Sequence, residues 1–199
     1  MDFSVIKSNL ESLGYKVTCF ETKEQASDYI NSQVDGKTIG FGGSVTLAEM
    51  GLFDSLSKHN KTVWHWTDAE TRDKVLHEAM NAEIYFSSVN GIAETGEIVN
   101  IDGHCNRIAS TLYGHEKVYF VVGRNKIAPD YEKALFRARN VAAPKNAQRL
   151  KKNTPCAVNA DKCYNCKSKE RICRALTVFW EKPTSSEYEI ILINEDLGF

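Results

Sequence analysis

No stretch of this 199-residue chain is apolar for the roughly 20 residues that a bilayer span requires. The opening residues, MDFSVIKSNLESLGY, lack the basic segment and long apolar block of a secretory signal. Net charge is only −1, so the molecule as a whole has no strong pull toward nucleic acid or acidic membranes. There is no internal repeat and no low-complexity linker. These absences lead to the expectation of a cytoplasmic protein, where thiols stay reduced. Six cysteines in such a chain then favour metal binding or catalysis over disulfides. What is present is a globular composition, 42% hydrophobic and 26% charged, sufficient for one large core.

Helical and strand signals alternate through the first two-thirds. Phe3, Ile6, Leu10 and Leu13 recur at helical spacing until Gly14. Residues 15–20 read as a strand, and Thr22 with Gln25 opens a helix carrying Ala26, Tyr29, Ile30 and Val34. A buried strand follows at 37–43, a helix at 44–53 and a strand at 61–66. Thr67 with Glu70 is expected to cap a helix to about Asn81, with Asp68 and Glu70 suiting its positive end. Residues 82–88 read as a strand, 91–103 as a hairpin, 106–114 as a short helix and 116–123 as the clearest buried strand. Pro129 opens a helix with Leu135, Ala138 and Ala142 inward. Residues 175–182 and 188–199 read as two strands of a closing hairpin. The fold class is therefore α/β, a mainly parallel sheet flanked by helices with an antiparallel C-terminal hairpin. A single domain, 1–199, carries an embedded cysteine-rich loop at 154–174.

Two stretches look chemical. GFGGSVT (40–46) is a strand running into a glycine turn at a helix start, which suits a phosphate or carboxylate. It is neither the dinucleotide fingerprint nor a P-loop, and Ser44 as a plain N-cap is the competing reading. GIAETGEIVNIDGHCNRIA (91–109) crowds Glu94, Thr95, Asn100, Asp102, His104, Asn106 and Arg107 around turns. His65, between two tryptophans, reads as structural, and Cys19 and Cys105 as packing residues.

Together with the strand VYFVVGRNKI and the ending IILINEDLGF, these motifs resemble the LUD-domain family of lactate-utilization-type proteins, over the whole chain and in the same order. The resemblance implies a fold like that of ribose-5-phosphate isomerase and CoA transferases. Gly42, Gly43, Ser44 and Thr46 would cradle a ligand. Thr95, Asn100, Asn106, Arg107 and Lys126 would contact it, with Arg107 and Lys126 holding an anion. Glu94 or Asp102 would move a proton. For Arg107 the competing reading is a salt bridge to Asp102 or Glu94. The implied partners are a small anionic organic substrate and a redox protein; the sequence leaves the oligomeric state open, a homodimer being one option.

The last motif is TPCAVNADKCYNCKSKERIC (154–173), where Cys156, Cys163, Cys166 and Cys173 are separated by six, two and six residues. From Lys145 to Arg174 nine basic residues face two acidic ones, giving +7 here and −8 elsewhere. Four thiolates suit a [4Fe–4S] cluster or a structural zinc ion. Zinc usually takes two close cysteine pairs, whereas only one exists here, and the basic surround would offset an anionic cluster. The cluster is therefore the first expectation, zinc the second, and paired or free thiols the last. In function, a redox role in small organic acid metabolism leads. A cluster-independent isomerase, transferase or ligase acting on a phosphorylated or carboxylate molecule is the rival, followed by a zinc-stapled binding or regulatory protein. Nucleic acid is disfavoured because Tyr164 is the only stacking aromatic in the basic segment.

Overall fold

A computed structural model describes residues 1–67 and 70–199. Six strands form one parallel sheet in the order β1 (Lys16–Phe20), β10 (Glu187–Ile193), β7 (Lys117–Gly123), β4 (Ile84–Ser87), β2 (Thr38–Phe41) and β3 (Lys61–Trp64). A second sheet runs β8 (Ile127–Ala128), β5 (Gly91–Ala93), β6 (Ile98–Asp102) and β9 (Ala175–Phe179). Its β5–β6 and β6–β9 pairs are antiparallel and its β5–β8 pair is parallel.

Strands buried on both faces need apolar residues at nearly every position. KVYFVVG and EYEIILI meet that need, and their alternate residues feed two cores. Val118, Phe120, Val122, Ile190 and Leu192 pack with Ile6 and Leu10 of α1 (Ser4–Ser12) and with Ile92, Ile98 and Phe179 of the second sheet. Tyr119, Val121, Ile191 and Ile193 pack on the other face with Ala26 and Ile30 of α2 (Lys23–Gln33). Leu47 of α3 (Val45–Glu49) and Leu52 and Leu56 of α4 (Leu52–Leu56) complete that layer. Each such fully buried large side chain contributes about 2 kcal/mol. Ala134 and Ala138, on α7 (Tyr131–Arg137) and the π turn after it, cover the outer face of the second sheet.

Several local expectations shift. Thr22 does cap α2 by accepting from the Gln25 N–H, while the Gln25 side chain accepts from the N–H of Glu21. The helix expected over 44–53 is split into α3 and α4 at Gly51, whose φ of 62° interrupts the helical path. β3 ends at Trp64, so His65 and Trp66 lie in the turn beyond it. α5 (Arg72–Met80) starts later than the Thr67 reading, with Thr71 at its N-cap. The part of that reading resting on Asp68 falls outside the described residues. α7 starts at Tyr131, capped by Asp130 accepting from Lys133, and not at Pro129. It continues through the π turn at 138–142 into α8 (Ala143–Arg149). Pro144 brings no N–H to that helix, and the wider turn sits just before it.

The expected C-terminal hairpin does not form. β9 pairs with β6, whereas β10 inserts in parallel between β1 and β7. The physical reason lies in both the apolar faces of β10 and one charge. Glu189 is fully buried and takes ion pairs from Lys16 at 3.1 Å and Lys117 at 2.8 Å, one from each neighbouring strand. Tyr29 and Thr18 donate to the same carboxylate at 2.7 and 2.9 Å. A buried carboxylate satisfied from both sides specifies this register, since a slip would strand it without partners.

Candidate anion cleft and cysteine cavity

A cleft of about 950 Å³ opens where β2, β3, β4 and β7 end. Gly43 and Ser44 follow β2, His65 and Trp66 follow β3, Ser88 follows β4, and Lys126 closes the 3-10 turn after β7. Ligands of open α/β sheets bind at this carboxyl edge. The facing wall comes from Asp102 of β6, from Asn106 and Arg107 of α6 (Asn106–Leu112), from α8 and from the cysteine-bearing loop. Among the described residues, eight lysine and arginine side chains line the cleft against two carboxylates, Asp102 and Glu170. A concave wall of one sign focuses its field on an anion.

The sequence candidates divide into three groups. Gly43, Ser44, Asp102, Asn106, Arg107 and Lys126 line the cleft. Gly42, Thr46 and Asn100 stand behind it. The Gly42 carbonyl accepts from the Trp64 indole at 3.1 Å, and a Cβ at Gly42 would press on Arg107. Buried Asn100 accepts from Arg107 at 2.8 Å, and Thr46 accepts from Lys126 at 2.7 Å. Glu94 and Thr95 sit elsewhere, in the β5–β6 turn against α1, where Asn9 donates to the Glu94 carbonyl and Thr95 to the Glu97 side chain.

Several side chains have structural duties. Ser44 Oγ accepts from the Leu47 N–H as an N-cap. Arg107 spends Nη1 on Asn100 Oδ1 and the Ser88 carbonyl and Nη2 on Asn90 Oδ1 and the Ile101 carbonyl. Its Nε faces Asp102 Oδ2 at 3.5 Å. With its fork so occupied, Arg107 offers the cleft charge more than free donors. Asp102 Oδ1 accepts from the N–H groups of His104 and Cys105, which holds Cys105 at a φ of 69° before α6. Asp102 Oδ2 is buried and finds no hydrogen-bond partner among the described residues.

Sequence reasoning assigns no role to Ser88, Asn90, Arg72 or Arg149, and sets His65 aside. The usable signal is position, because polar residues immediately after parallel strands collect at one edge. His65 Nδ1 is buried with no partner among the described residues. Burial and the nearby Arg72 push its pKa down to about 4, so the imidazole is neutral at pH 7. Trp66 stacks on Trp64 at 4.9 Å between ring centroids and carries Arg149 over its ring at 4.9 Å.

Comparison with known proteins agrees with this architecture. The sequence model described as LUD domain matches residues 4–193. The chain belongs to the LUD-domain family. A crystal structure of a DUF162 family protein from Deinococcus radiodurans is similar at 12% identity and a TM-score of 0.54, covering 97% of this chain and 99% of that one. That likeness supports the mixed α/β fold. The eIF2B beta structure from Chaetomium thermophilum aligns at 11% identity over 55% of this chain and 44% of its own, with a TM-score of 0.39. Its eIF2B delta counterpart aligns at 14% over 65% and 54%, with a TM-score of 0.37. Neither alignment is close enough to carry an argument. No curated protein matches the sequence. Among the described residues no helix is long and apolar enough to cross a membrane.

In this LUD-domain protein Cys156, Cys163, Cys166 and Cys173 line one cavity of about 270 Å³. α9 (Pro155–Asn159) presents the first, and the other three lie on the irregular segment that follows. Among the described residues no three His, Cys, Asp or Glu side chains gather tightly enough to hold one metal ion. Several of the sulfurs have hydrogen-bond partners. The Asn165 N–H points at Cys163 Sγ at 3.3 Å, Arg171 Nη2 at Cys173 Sγ at 3.4 Å and Arg139 Nη2 at Cys163 Sγ at 3.9 Å. Ile101, Ala143, Arg171, Ile172 and Arg174 line both this cavity and the cationic cleft, so a single layer of side chains divides them.

Proposed function

We propose that this LUD-domain protein is a redox component of small organic acid metabolism. Its cleft binds an anionic organic acid and its four cysteines hold a [4Fe–4S] cluster. The observation that carries the reading is the shared wall between a cavity lined by four cysteines and a cleft lined, among the described residues, by eight lysine and arginine residues. The donor set fits a cluster. Four cysteines lining a cavity of about 270 Å³ suit a multi-atom group, whereas zinc draws each thiolate to about 2.3 Å from a single ion. N–H groups aimed at sulfurs, here from Asn165 and Arg171, stabilise thiolate charge and raise a cluster's potential. Such a cluster, when bound, supplies one-electron transfer.

The chain's own residues account for the rest. Arg72, Arg149, Lys169 and Arg174 would attract and orient the carboxylate of an incoming acid. Arg171 donates to the Cys166 carbonyl and to Cys173 Sγ while also lining the cleft, so it fixes the cysteine loop against the acid site. His65 and Asp102 also line the cleft, and each has a buried atom, Nδ1 and Oδ2, without a hydrogen-bond partner among the described residues.

The test combines two readouts on anaerobically purified protein. Lactate and related hydroxy acids should raise Tm with concentration, and Arg149→Ala should weaken that response. Cys163→Ser should remove the broad visible absorbance of an iron–sulfur chromophore. A protein whose Tm ignores every such acid, and whose spectrum ignores Cys163→Ser, would not have this function.

A further inference from the structure

Lys126 does not have the surroundings of a lysine that only grips an anion. Such a lysine works as a protonated, hydrated point charge. Lys126 is 3% exposed, and its amine meets two neutral hydroxyls, Thr46 Oγ1 at 2.7 Å and Ser88 Oγ at 2.8 Å. Both hydroxyls donate onward to backbone carbonyls, Thr46 to Leu197 and Ser88 to Val121. Each therefore presents a lone pair to Lys126 and asks it for one hydrogen. A neutral amine has two hydrogens to give, which leaves its lone pair uncommitted. Ser88 also fixes the amine relative to the guanidinium of Arg107, which donates to the Ser88 carbonyl at 3.3 Å.

We infer that Lys126 is a carbonyl-reactive lysine and that the acid taken by the cleft is a 2-oxo acid, which condenses with it as an imine. The inference rests on the reading of the cleft as an organic acid site and narrows the substrate class. The amine nitrogen bonds to the carbonyl carbon. The carbon–oxygen bond breaks, and the oxygen leaves as water with the amine's two hydrogens. No oxidant or reductant is consumed. The charges around the amine agree with this role. Desolvation pushes its pKa down to about 7, Arg137 on α7 and Arg107 on α6 add to the shift, and Glu49 on α3 only partly offsets them. A large share of the amine is then unprotonated and nucleophilic near neutral pH.

The experiment treats the full chain with pyruvate or glyoxylate and then a borohydride, and maps the adduct by peptide mass spectrometry. The Lys126 peptide should gain the ligand mass less one oxygen atom, Lys152 and Lys169 in the same cleft should stay largely unmodified, and Lys126→Arg should lose the adduct. A parallel thermal-shift arm uses lactate, which has a carboxylate but no ketone or aldehyde carbonyl. A lactate shift without any adduct on Lys126, or with adducts spread equally over the cleft lysines, overturns the lysine proposal and leaves the acid site standing. Trapping on Lys126 without a lactate shift supports the lysine and counts against a hydroxy acid as ligand. Neither signal overturns both. The wild-type adduct map decides the question even if Lys126→Arg folds poorly.

Discussion

Burying the Lys126 amine ties its protonation to folding. Its pKa is about 7 in the folded chain against an ordinary value of 10.5. Between those values the unfolded chain binds more protons, so stability rises with pH across the window. The penalty is fully in place below the folded value and fades as pH climbs toward the unfolded one. Lys126→Met removes the titrating group. Its stabilisation over wild type should be largest near about pH 6 and shrink by about pH 10. Urea midpoints at the two pH values check this, and a difference independent of pH would mean that the buried amine titrates as it does in the unfolded chain. Arg107 shows the limit of reading single residues. Its place in an Asn-x-Asp-Gly-x-x-Asn-Arg stretch suggests an anion fork, but only the fold reveals that Asn90, Asn100, Ile101 and Ser88 already occupy that fork.

At the level of elements, the strands and helices are largely legible because their periodicities are strong. Pairing is less so. Residues 175–182 and 188–199 look like a hairpin because a turn-forming PTSS separates two apolar runs. The partners that draw β10 into the parallel sheet instead, Lys16 and Lys117 for Glu189, lie on strands far away in the chain. No local pattern announces them. The cysteine segment is legible as a site but not as a shape, since beyond α9 it carries no helix or strand until β9. Its seat depends on a glycine. A Cβ at Gly103 would lie 2.5 Å from the Ile172 carbonyl oxygen, so the loop could not keep its place. Gly103→Ala should cost about 1–3 kcal/mol as an overpacked contact and lower the iron retained after purification. Denaturation curves and iron analysis check both, and an unchanged variant would show that the loop does not depend on this contact.

Over the whole molecule, a net charge of −1 conceals a division of labour. The basic segment at 145–174 supplies several of the cations that line the cleft and also carries all four thiols of the adjoining cavity. The coincidence of charge and cysteine is visible in the sequence. The shared wall of Ile101, Ala143, Arg171, Ile172 and Arg174 is not, because it joins β6, α8 and the loop from distant parts of the chain. The central claim is that those four cysteines hold an iron–sulfur cluster beside an acid-binding cleft. Its most direct test is the iron and acid-labile sulfide content of the anaerobically purified full chain. The account predicts about four of each per chain, both lost in Cys163→Ser. Colourless protein with about one zinc per chain and no sulfide would contradict it.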